Sequence, residues 1–170
     1  MNKMLTPRIG DLRISKTALV YPGVLIMTLA MYLRSWLMAI PGIMLAVYPA
    51  LNMDITNSIY SPSFQRKTAW VLLVLSIAEA FTGFGAGPTT SNIIYTITLG
   101  ALTRGLALQL HILLIAPLTL FFILHIASGI GLSLIRRRIT WKPLYTYVIP
   151  SILIALFVIT MYLYSLLVVI

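Results

Sequence analysis

Two residues in this chain have the type and spacing to do chemistry together: His111 and His125, its only histidines. They sit in the stretch RGLALQLHILLIAPLTLFFILHIASGIGLSLIR, residues 104 to 136. Between Arg104 and Arg136 lie 31 residues without formal charge, long enough to span a bilayer as a helix. Fourteen positions along an α-helix are a rotation of about 1400°, within roughly 40° of the same face, and a rise of about 21 Å. Neutral imidazole is a good axial ligand for haem iron. Two imidazoles on one face, one above the other, suit two haem centres in series across a membrane. Ala107 lies one turn outside His111 and Gly129 one turn beyond His125, and small side chains let a flat porphyrin approach the backbone. Arg104, on the His111 side, can meet a haem carboxylate as a charge-assisted pair, and Arg136 to Arg138 can serve the other haem. The plainer alternative is a histidine that hydrogen-bonds a neighbouring helix. Against it stands the cost of placing ionisable groups in a bilayer, which makes such residues functional candidates by default.

At these residues the sequence resembles the dihaem cytochrome b family of quinol-oxidising complexes. In that family, too, two histidines on the second core helix each hold one haem. Thr82-Gly83 at the end of a span, followed by Pro88, is similar to the exit of that family's first core helix. The resemblance covers roughly residues 69 to 138 and rests on spacing. It implies a b-type haem subunit of a respiratory electron-transfer complex, with a membrane quinone as redox partner. The family carries a second histidine pair on a further helix, and this chain has none. Each haem would then take its other axial ligand from another membrane subunit or from a second copy of the chain.

The elements that must position these residues are membrane helices. The chain has 170 residues, 60% hydrophobic and 9% charged, with a mean hydropathy of +1.01. That composition predicts an all-α, polytopic membrane bundle forming a single domain over residues 1–170. The absence of cysteine excludes disulfides, thiolate-bound iron–sulfur clusters and covalent haem attachment. The net charge of +9 sits at span ends, so it points to orientation in the membrane and to anionic lipids rather than to nucleic acid.

In order, residues 1–17 read as a basic interfacial arm, retained rather than cleaved. Spans are expected at about 18–48, 69–83, 105–135 and 144–170, which makes four. The first run has two readings: one long span kinked at Pro41, or two very short ones turning at Arg34-Ser35, which would make five. Residues 49–67 form a polar loop, and IIYTITLGAL a short interfacial helix. Arg66, Lys67, Arg136, Arg137, Arg138 and Lys142 must share a side, and the positive-inside rule makes loops 49–67 and 136–143 cytoplasmic in a plasma membrane. Trp70, Trp141 and Tyr145 then fall at the inner interface, and Tyr162 and Tyr164 near the outer one.

Glu79 lies near the middle of the second span, where a carboxylate needs a partner, a proton or a cavity. Under the single-helix reading Arg34 lies at similar depth, which predicts an Arg34–Glu79 ion pair. Met27, Met31 and Met38 share one face of the first span; this is a packing pattern, though thioether is also a haem ligand type. Gly83, Gly85 and Gly87 lack the lysine of a phosphate loop and suit a tight helix exit. Three readings follow: a haem-binding electron-transfer subunit, a non-redox structural subunit of a larger complex, and a small proton or ion transporter.

Overall fold

The computed structural model describes residues 15–51 and 53–167, which build an all-helical membrane protein. Most of the N-terminal arm, residues 1–14, lies outside the described residues. A 3-10 turn, Lys16–Leu19, leads into α1, Val20–Tyr32, and α2 is Trp36–Val47. The run at 18–48 is therefore not one helix. Leu33 ends α1, Arg34 adopts a left-handed φ of 52°, and the Ser35 hydroxyl caps α2 by accepting from the Met38 amide. At 1.5 Å per residue the two arms are roughly 20 and 18 Å long, short of the ~30 Å hydrocarbon core. They fold against each other as a hairpin. Gly23 and Gly42 permit this: a Cβ on Gly23 would lie 2.6 Å from the Ala46 amide nitrogen, and one on Gly42 would lie 2.9 Å from the Met27 nitrogen.

Among the described residues three helices are long and apolar enough to cross a membrane: Pro62–Ala86, Arg104–Arg136 and the segment Leu144–Leu167. The first is α3, started by the Ser61 cap and by Pro62 at the first helical position, so the end of the expected polar loop at 49–67 is already helix, and the span is longer than the expected 69–83. A short α4, Ser91–Ile97, and a turn with positive φ at Leu99 and Gly100 bring the chain back. Thr103 caps α5, Arg104–Arg136. A π-helical turn, Leu144–Val148, opens the last segment, and α6 is Ile149–Leu167.

The central pair is α3 against α5, antiparallel. Helix α5 also packs against α6 and α1, and α2 of the hairpin packs against α6. The Tyr164 hydroxyl ties α6 to α5 by donating to the Ile112 carbonyl at 3.1 Å. At the other end of the bundle Tyr60 is fully buried, donates to Ala50 O at 3.0 Å and meets Tyr145 edge-on at 5.2 Å. Tyr145 and Tyr164 are thus core residues rather than members of an interfacial belt; Trp70 and Trp141 are exposed. The Ser15 hydroxyl donates to Asn57 Oδ1 at 3.2 Å, and Lys16 lies over the Tyr48 ring. The open end of the hairpin therefore sits beside the loop that precedes α3.

Candidate functional site

Both histidines of α5 face α3, and α3 meets each with the same pair of positions. Gln65 and Thr68 stand against His125; Glu79 and Thr82 stand against His111. The two α3 pairs are fourteen residues apart, as the histidines are. In antiparallel helices that matched spacing repeats one local arrangement at two depths.

Helix α3 offers an oxygen to Nδ1 of each imidazole. Thr68 Oγ1 donates its single proton to the Phe64 carbonyl at 3.0 Å, the ordinary back-bond of a helical threonine. The Gln65 carbonyl is also within reach at 3.1 Å, and with its proton on either carbonyl the hydroxyl accepts from His125 Nδ1, 2.8 Å away. In that tautomer Nε2 carries the lone pair and faces Gln65 Nε2 at 3.0 Å. The acceptors at His111 Nδ1 are the Glu79 main-chain carbonyl at 3.2 Å and Glu79 Oε1 at 3.2 Å, with Thr82 Oγ1 at 3.5 Å. A main-chain carbonyl accepts and never donates, so Nδ1–H is again the donor. Among the described residues His111 Nε2 has no hydrogen-bond partner. A metal-bound histidine commonly has this form: one nitrogen held on a carboxylate, carbonyl or water, and the other offered to the metal.

Glu79 thus finds its partner in His111 rather than in Arg34, which lies in the α1–α2 turn. Its side chain is 14% exposed and that of His111 32%. Glu79 Oε2 is buried without a partner among the described residues. Each histidine opens on a groove along the α3–α5 face. Ser76, Ala80 and Gly83 line the His111 groove, and Gly129, Ser133, Arg66 and Arg136 line that of His125. A Cβ on Gly83 would come within 3.1 Å of the His111 ring, and one on Gly129 within 3.2 Å of the Gln65 amide.

The other expected site residues divide. Gly129 and Arg136 lie beside His125. Ala107 does not reach the His111 groove. It is fully buried against Gly85, whose Cβ would lie 2.7 Å from that of Ala107, so its small side chain serves helix contact. Arg104 is exposed at the start of α5 and donates from Nε to Ala86 O at 3.1 Å, joining the helix ends. Met27 and Met31 are buried in the core, and Met38 packs against it. Among the described residues no three His, Cys, Asp or Glu side chains converge on one point. At each depth a metal would find one imidazole from this chain. Sequence reasoning missed Glu79, Gln65, Thr68 and Thr82 as neighbours of the histidines. No protein-family model, curated protein or solved structure matches the chain.

Proposed function

We propose that this chain is a b-type haem-binding membrane subunit of a respiratory electron-transfer complex. In this reading His111 and His125 would each hold one haem. The observation that carries it is the pair of imidazoles whose Nδ1 atoms both meet oxygens of α3, at positions fourteen residues apart, which leaves Nε2 as the coordinating nitrogen of each. His111 offers that nitrogen as it stands, and His125 offers it once Gln65 swings aside. Bound haem would supply one-electron redox chemistry. The chain's own residues orient and space it: Glu79 and Thr82 hold one ring and Thr68 holds the other, while Gly83 makes room for the His111 ring and Gly129 for the Gln65 amide.

A bis-histidine haem needs two axial ligands, and about 21 Å of helix rise keeps these two histidines from sharing one iron. The second ligands come from a second copy or from another subunit, docked on the open α3–α5 face. Such a complex would exchange electrons with a membrane quinone. By the positive-inside rule the Arg66 and Arg136 end is cytoplasmic, in a plasma membrane. The test is the visible spectrum of the purified protein. A reduced α-band near ~560 nm is expected for bis-histidine b-haem by its ligation, with a different component lost in His111→Ala and in His125→Ala. Full haem content in both variants would rule the assignment out.

The Glu79–His111 pair favours one second reading, a small proton carrier. That reading expects proton flux through liposomes holding the chain alone, with no redox partner, abolished by Glu79→Gln.

A further inference from the structure

We infer that Arg66 and Arg136 form a clamp for an oxyanion carried on an amphiphile: the headgroup phosphate of an anionic lipid or the carboxylate of a bound porphyrin. Arg66 stands in the first turns of α3 and Arg136 in the last turn of α5, and both line the groove at His125. Among the described residues no acidic side chain lines that groove. The chain has only three acidic residues against twelve Lys and Arg. Two exposed arginines lining one groove make a basic lining that suits an anion.

The rest of the lining agrees with an anion. The acceptor nitrogen of His125 is already taken up by the Gln65 amide, while Ser133 adds a hydroxyl donor. Guanidinium presents paired N–H donors that match phosphate and carboxylate. The site lies where α3 begins and α5 ends, at the ends of two helices long enough to cross a membrane, and basic pockets between membrane helices hold anionic headgroups. Ala69 and Leu132 continue the groove inward with apolar surface for a chain or a ring. Haem enters only through the second source, so the lipid arm does not rest on the proposed function.

The full-length protein tests this in two arms. In the first, lipid retained from vesicles of phosphatidylglycerol is compared with that from phosphatidylcholine. In the second, affinity for haemin is compared with that for haemin dimethyl ester, which lacks the free carboxylates. Arg66→Gln and Arg136→Gln should each cost about tenfold in preference for the anionic probe, which is about 1.4 kcal/mol. Lys67→Gln and Lys142→Gln, outside the groove, should cost little. A loss in the first arm identifies a lipid phosphate, and one in the second a porphyrin carboxylate. If neither preference responds to the two arginines, or the lysines matter as much, the clamp is wrong. Haemin binding with no discrimination against the ester, and no lipid preference, would overturn the clamp and leave the haem proposal standing. A lipid preference with no haemin binding would do the reverse.

Discussion

A hydroxyl has one proton to give, and that limit decides the site. With its proton on the Phe64 or Gln65 carbonyl, Thr68 accepts from His125. Thr68→Val keeps the shape and removes the acceptor, stranding the Nδ1–H. A buried donor left unpaired costs on the order of 1–3 kcal/mol, and thermal unfolding in detergent should show it. Thr82→Val should cost well under half as much. Its hydroxyl is 3.5 Å from His111, at the edge of hydrogen-bond range, and the Glu79 carbonyl stays in place. Equal losses at the two positions would mean that the threonines do not set the tautomers. Gly83→Ala has a further expected effect: a methyl 3.1 Å from the His111 ring tilts the imidazole, so the haem component lost in His111→Ala should weaken while the other persists.

Among the elements, the first hairpin depends on two glycines. Gly23→Leu would drive a side chain into the backbone of α2 at Ala46. Overpacking of this kind typically costs about 1–3 kcal/mol, and backbone against backbone has little room to relax. Faster proteolysis in the Arg34-Ser35 turn should report the loosened hairpin, while α3 and α5 stay protected. The loop before α3 depends on Gly131 in the same way. Tyr60 lies against its α-carbon, and Ser128 Oγ donates to the Ile59 carbonyl beside it. Gly131→Ala should therefore release Tyr60 and expose its phenol, which burial now pushes to a pKa far above its ordinary value. Tyrosine titration by absorbance should show one phenol ionising at lower pH in the variant.

At the scale of the whole molecule, the hairpin brings the Ser15 end back to the loop before α3. Single cysteines can be placed freely because the chain has none. Thr17→Cys and Asn57→Cys should be labelled from one side of the membrane, and Asn92→Cys from the other. Labelling of Thr17→Cys together with Asn92→Cys would show that the first run crosses as a full span. The α3–α5 face carries both histidines, Glu79 and two arginines on one open side. Under the haem proposal a monomer cannot complete its sites. Two low-spin, six-coordinate haems in a proven monomer would sink that expectation.

By itself the sequence determined the all-helical membrane character, the three long helices and the face shared by His111 and His125. These are local properties: hydrophobic run length, caps and the 3.6-residue period are written in consecutive residues. It also contained, unread, the fourteen-residue echo of Gln65-Thr68 in Glu79-Thr82, the same interval as the histidines. An echo between two helices acquires meaning only when their direction and register are known. The packing of α3 against α5 decided both, and with them the partner of Glu79 and the tautomer of each imidazole. Tertiary structure also decided the break at Arg34. A single 31-residue apolar run fits one tilted helix or two short arms equally well by hydropathy, and the close approach of Gly23 to α2 favours the arms. Ala107 shows the same limit in one residue. Its smallness is visible in the sequence, but whether the space beside it holds a cofactor or Gly85 depends on which helix comes to rest there.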